Sequence, residues 1–264
     1  MHPSIAATLL VALNPLPLLA FPTLSSRGVE KRPSAVSAKL AWDALLGKRG
    51  PATASVALDG PPCDMSLAKM PSAPSPLPPP SAGLTLSHVV VGRGTQNYTC
   101  ASASDAPKAA GALASLYDAS CIAASYPSLL AAMPPVALDN SLPKPVSTAK
   151  ASKNGLTPAL AGTHYFTNLT TPFFDMDTAL HAYGRGGFAK VAGTPAPEGA
   201  PVGPKGRGNG SVPWLKLGSV SADEGWQEVY RVNTAGGQPP SSCEGMPKTF
   251  TVEYAAEYWM WKRA

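Results

Sequence analysis

His88-Val-Val-Val-Gly-Arg-Gly-Thr-Gln-Asn-Tyr-Thr-Cys100 is the stretch from which the rest of the chain is read. Three successive valines, branched at Cβ and stiff at χ1, favour a strand. The Gly92-Arg93-Gly94 step predicts a break in it, a turn or a bulge. Beyond that step Thr95, Asn97 and Thr99 alternate with Gln96, Tyr98 and Cys100, so the two sets point to opposite faces. Asn97-Tyr98-Thr99 is a sequon for N-glycosylation, and a glycan needs solvent. With Asn97 outward, Gln96, Tyr98 and Cys100 face inward. Asn168 and Asn209 head two further sequons.

Upstream of this strand the chain reads as targeting, processing and linker sequence. An apolar run from Ile5 to Ala20, interrupted by Pro15 and Pro17, is a poor membrane span and predicts a signal peptide over residues 1–20. Residues 21–49 are expected to be a pro-segment, with the dibasic pair Lys31-Arg32 as its processing site and Lys48-Arg49 as a possible second. Within it, residues 33–49 predict a short helix with Leu40, Ala44 and Leu45 on one side. A helix of that length is marginal alone and is expected to be poorly ordered. Residues 50–82 form a Pro-rich linker, extended over 71–82 and crossing the surface as a strap. The expected product is a secreted, extracellular protein.

Downstream, residues 83–264 predict a β-rich domain. Short strands are expected at Leu113–Tyr117, Thr163–Thr167, Phe188–Val191, Val212–Leu217 and Trp226–Val232, each bounded by Gly, Pro, Asp or Ser. Pro213 marks the fourth of these as an edge strand or sits at its start. In the last strand, 250–261, Phe250, Val252, Tyr254, Ala256, Tyr258 and Met260 make a core face, while Glu253, Glu257, Trp259 and Trp261 share the other. A Trp-bearing face beside carboxylates needs a ligand, a loop or a linker to cover it. One short helix is expected after Ser125, running through Leu129–Met133 and ended by Pro134-Pro135. The fold class is mainly β, an antiparallel β-sandwich or barrel with one short helix and long loops.

Composition supports this. Thirty prolines and twenty-four glycines in 264 residues argue against long helices. A formal charge of +5 with only 14% charged residues is too weak a bias for a nucleic-acid or membrane partner. Cys63, Cys100, Cys121 and Cys243 have no CxxC spacing, so disulfides are expected rather than zinc. Of three possible connectivities, Cys100–Cys243 with Cys63–Cys121 is favoured: the first would tie the opening strand to the end of the sheet, the second would pin the linker to the domain.

The motifs Gly-Arg-Gly-Thr-Gln-Asn-Tyr-Thr-Cys (92–100), Leu-Tyr-Asp-Ala-Ser-Cys (116–121), Gly-Thr-His-Tyr-Phe (162–166), Val-Pro-Trp-Leu-Lys-Leu (212–217), Tyr-Arg-Val-Asn-Thr-Ala-Gly-Gly (230–237) and Tyr-Ala-Ala-Glu-Tyr-Trp (254–259) resemble a secreted fungal and bacterial family of unknown function. The resemblance covers about residues 63–264 and implies a secreted β-rich domain without an established activity. Fungal members of that family often carry the label "malate dehydrogenase". The sequence argues against it: Gly206-Arg-Gly-Asn-Gly210 follows a Pro/Gly loop and leads into a strand, so no helix N-terminus is available for a pyrophosphate. No cofactor is expected.

The candidate catalytic residues are His164 and Asp175, in the only window rich in His and Asp. His164, Asp175, Asp177 and His181 are together a candidate metal set, with Asp177 and His181 sharing a face if that stretch were helical, but the spacing matches no metal pattern and no metal is expected. Arg231 and Asn233 alternate along one strand and, with Gln96, are expected to form a polar pocket for hydroxyls or a carboxylate. Glu257, Trp259 and Trp261 are the candidate platform for stacking a sugar. The favoured function is a binding or cell-surface module recognising a glycan or wall component. The alternative is a hydrolase or lyase using His164 and Asp175.

Overall fold

The structure is a computed structural model that describes residues 34–48, 63–143, 159–220 and 225–264. The chain divides into Met1–Lys31 and Arg32–Ala264, and every described residue belongs to the second unit. The expected signal peptide and the Lys31-Arg32 site lie outside the described residues.

Eight strands, β1 (Leu84–Thr99), β2 (Lys108–Asp118), β3 (Leu160–Phe166), β4 (Pro172–Asp177), β5 (Ala182–Thr194), β6 (Trp214–Ser219), β7 (Trp226–Gly236) and β8 (Thr249–Arg263), pair antiparallel in sequence order. β8 returns to β1, pairing from Leu84↔Arg263 to Thr99↔Thr249 with one register shift between Leu86 and His88, and closes a barrel. Three α-helices are described: α1 (Ala35–Leu45), which falls within the predicted 33–49 helix, and α2 (Ser120–Ser125) and α3 (Pro127–Asp139), two in the β-rich domain where one was expected. None is long and apolar enough to cross a membrane.

Alternation explains the architecture. Val90, Leu116, Phe174, Phe188, Leu217, Val229, Tyr254, Tyr258 and Met260 meet inside the barrel as one buried cluster. The opposite side chains of β1, β2, β7 and β8, among them Val89, Val91, Tyr117, Tyr230 and Trp259, form a second cluster with Trp42, Ile122, Leu130 and Met133 of the helices. One wall of the barrel is thus buried on both faces, which is why its strand reads as an unbroken valine run. Trp42 is fully buried and meets Tyr117 edge-on at 5.2 Å. That burial orders α1, contrary to the expectation from its length, and Ser34 caps it by accepting from the Ser37 N–H.

Gly92 and Gly94 do not break β1, which pairs with β8 straight through them. They are glycines for want of space: a Cβ at 92 would lie 2.6 Å from Tyr258 Cε2, and one at 94 would lie 2.5 Å from Ala114 Cα. The irregularities of β1 fall elsewhere, between Leu86 and His88 against β8 and between Gln96 and Tyr98 against β2. Gly94→Ala is therefore expected to cost about 1–3 kcal/mol through overpacking. Chemical denaturation would show it as a lowered midpoint, whereas a glycine serving only as a turn would tolerate alanine.

α3 runs through Pro134-Pro135 to Asp139 instead of ending before them. Pro135 has no N–H for the carbonyl of Ala131, and Asn233 Nδ2 donates to that carbonyl instead, at 2.9 Å. The Pro-rich segment crosses β6 and β7 as a strap: the carbonyls of Pro78 and Pro79 accept from Tyr230 Oη and Lys216 Nζ, both at 2.8 Å, and Ser81 Oγ donates to Glu228 at 2.6 Å. Disulfides join Cys63 to Cys121, fixing the start of the strap to α2, and Cys100 to Cys243, fixing the end of β1 to the β7–β8 connection. Pro213 immediately precedes β6, and a closed barrel leaves no edge for it to guard.

Candidate functional site

Among the described residues, three groups of polar and titratable side chains are drawn in from solvent at separate places, besides the Arg93–Glu253 and Lys216–Glu228 pairs. The first is the barrel interior toward the end where β1 finishes, where Gln96, Tyr98, His164, Arg231, Tyr254 and Tyr258 gather. Arg231 faces Leu215 and Tyr258 across its two neighbouring strands. Tyr254 Oη and Tyr258 Oη are 2.8 Å apart, and Tyr98 Oη donates to the Gly237 carbonyl at 2.7 Å. Gln96 and Arg231 both interact with Tyr254, so the sequence-predicted pair shares this interior. Asn233 is not part of it. A bulge between Val232 and Ala235, with Asn233 at φ +46°, turns its side chain out toward α3.

His164 is buried in the same interior, its ring stacked on Phe174 at 4.3 Å. Its Nδ1 donates to the Phe173 carbonyl at 2.9 Å. Burial outweighs that bond and pulls its pKa down to about 4, so the imidazole is neutral at pH 7. Asp175 stands in register with Thr163 and Arg185, one residue out of step with Phe174 and so on the outer face of the barrel. The wall of the barrel separates His164 from Asp175, and the geometry gives no support to a pair. The Asp177–His181 stretch is not helical: β4 ends at Asp177, and the Thr178 N–H donates to the His181 carbonyl at 2.7 Å in a tight turn.

The second place is the layer between α3 and the sheet. Glu257 is buried there, with Oε1 accepting from Asn233 Nδ2 at 2.7 Å and Oε2 from Trp259 Nε1 at 2.9 Å. Burial pushes its carboxyl up to about 7, against the two donors that favour the charged form. Trp259 is 1% exposed, and Trp261 is half-buried against the same cluster. The expected sugar platform is covered by the chain's own helices and strap.

The third place is the opposite mouth of the barrel, and local sequence spacing did not point to it. Tyr183 lies between two imidazoles, His88 with ring centroids 4.3 Å away and His181 stacked at 4.7 Å, with Trp226 edge-on behind His88 at 6.3 Å. Asp118 accepts from the Ser120 N–H at 2.9 Å and from Tyr183 Oη at 3.4 Å. His88, Asp118, His181 and Tyr183 are all half-buried. Burial lowers the His88 pKa, opposed by Asp118 and reinforced by Lys262 and His181. Burial, then the Asp118 charge, push the Tyr183 phenol up to about 12. Among the described residues, no group of three His, Cys, Asp or Glu side chains is placed to hold a metal ion.

An eight-stranded antiparallel meander closed on itself and filled with side chains is an up-and-down β-barrel. Gly206–Gly210 lies in the loop before β6, with no helix following it, so the barrel offers no dinucleotide fold. Over residues 80–262, from the end of the strap to β8, the chain matches the family described as "Protein of unknown function (DUF3455)", and it belongs to that family. None of the curated proteins and none of the solved structures matches it.

Proposed function

We propose that the protein is an extracellular binding module that recognises a glycan or another polyol of a cell wall or surface at the mouth formed by His88, Asp118, His181 and Tyr183. The observation that carries this reading is the half-exposed stack of Tyr183 between two imidazoles beside a carboxylate. A sugar ring offers an apolar C–H face for the aromatic ring and hydroxyls for Asp118 and the imidazoles, and such sites combine apolar walls with a few convergent polar groups. The two disulfides fit an oxidising compartment. Catalysis by His164 with Asp175 has no geometric support, so the hydrolase reading falls behind.

The test is a screen of immobilised glycans and wall polysaccharides with the folded protein, repeated with Tyr183→Ala and Asp118→Asn. Each variant is expected to weaken binding by about tenfold or more, equivalent to about 1.4 kcal/mol, with an unchanged far-UV spectrum. Wild-type binding by both variants would dismiss this mouth as the site.

A further inference from the structure

We infer that the other end of the barrel holds a second site, for the carboxylate of a compact organic acid, taken by Arg231 and Gln96. The two residues are 9% and 8% exposed. A guanidinium keeps its charge when buried, and an unpaired buried charge is expensive. The other two buried cations have carboxylate partners: Arg93 pairs with Glu253 and Lys216 with Glu228. No carboxylate among the described residues pairs with Arg231. One terminal nitrogen donates to the Pro213 carbonyl at 2.9 Å and the group interacts with the Tyr258 phenol, while Nε has no hydrogen-bond partner. Gln96 Nε2, in the same interior, makes no hydrogen bond of normal geometry, its amide interacting only with the Tyr254 phenol.

The neighbours do not supply the missing negative charge. Burial pushes Tyr98 up to about 12 and raises Tyr254 and Tyr258 too, so all three phenols stay neutral at pH 7. What the cluster presents is a fixed cation and spare N–H donors, which match a planar carboxylate better than a spherical halide.

A cleft lies beside them, lined by neither Arg231 nor Gln96. Its volume is about 360 Å³, and Pro195, Ala196, Pro197, Pro213 and Gln238 are among the residues that line it. Pro213 also gives its carbonyl to Arg231, and Gly237, next to Gln238, accepts from Tyr98 and abuts Gln96. On both sides the partition between cleft and polar cluster is thus about one residue thick. The apolar prolines suit the body of the acid while Arg231 and Gln96 take its head.

The site lies at the end opposite His88 and Tyr183, so its failure and that of the glycan reading are separable. Calorimetric titration with benzoate at constant ionic strength is expected to saturate at one site, with neutral benzamide giving no heat and chloride binding at least about tenfold more weakly. Gln96→Leu is expected to weaken benzoate roughly five- to tenfold through the lost donor, and Arg231→Met to abolish binding. Should Arg231→Met fail to fold, the wild-type Arg231 Nε–H resonance gives the direct readout and is expected to shift on benzoate addition. No saturable binding, equal binding of benzamide or chloride, or an unmoved Nε–H signal would each overturn the site.

Discussion

Arg93→Met is expected to lower the unfolding free energy by about 3–5 kcal/mol, the size seen when one partner of a buried charged network is removed. Arg93 projects outward from β1, is 1% exposed, and donates to carbonyls at the end of α3, where the Asn140 N–H reaches only that of Ala137 among the three that Arg93 contacts. Its Nε donates to Ala137 O at 2.8 Å, and Nη2 donates to Leu138 O at 3.1 Å and Asn140 O at 3.0 Å. Nη1 reaches Gly94 O and Tyr254 O in the barrel, so one side chain fastens the helix to two strands. The negative end of the helix dipole favours a cation at that position. The ion pair with Glu253 adds little, because the Glu253 side chain is 41% exposed. Methionine keeps the aliphatic stem but removes the guanidinium donors, leaving Ala137 O with the Asn140 N–H alone. Lysine should recover less than half of the loss, since a point charge lacks the fork that spans several acceptors. A urea titration reads the effect as a shifted midpoint, and a loss under about 1 kcal/mol would show that water or other donors can replace the guanidinium.

Glu257 should make the protein less stable as pH rises. Its carboxyl is raised from 4.5 to about 7 by burial beneath α3. A folded-state pKa above the unfolded one means that the folded form holds the proton more tightly. The stabilisation is complete below pH 4.5, drains away between 4.5 and 7, and is absent above 7. At 1.36 kcal/mol per unit the span amounts to about 3 kcal/mol. Glu257→Gln keeps the shape and does not titrate, so it isolates the effect from every other carboxyl. Denaturation at pH 4.5 and 7.5 should show the wild type losing about 3 kcal/mol more than the variant. Parallel pH profiles for the two proteins would mean that Asn233 and Trp259 hold Glu257 in its ordinary range.

Alternation along β8 separated its two faces correctly, because inward and outward positions are a property of one strand. What covered the outer face was not legible. Trp259 is sheltered on the face where α3 packs, from far away in sequence, and no local pattern in β8 encodes that arrival. Gly92 and Gly94 misled for a related reason: glycine signals a turn locally, but here it accommodates Tyr258 and the β2 backbone, whose approach depends on register. The bulge at Asn233 shifted one side chain to the other face and undid the expected partnership with Arg231. His88 and Tyr183 sit on strands that are not neighbours, and only closure into a barrel, which alternation does not distinguish from a sandwich, brings their rings together. Pro172-Phe-Phe-Asp-Met-Asp177, with its carboxylates, drew attention to metal chemistry and away from the strand it forms.

The seam that joins β1 to β8 has a consequence for biosynthesis. The strands that must zip together are made at opposite ends of the domain, so seven strands wait with an unsealed interior until the eighth is translated. Cys100 likewise waits for Cys243, 143 residues behind it. Such distant pairings are slow to form and leave apolar surface open meanwhile. A ribosome stalled before β8 would release an open curl with two raw margins, a natural client for chaperones and disulfide isomerases.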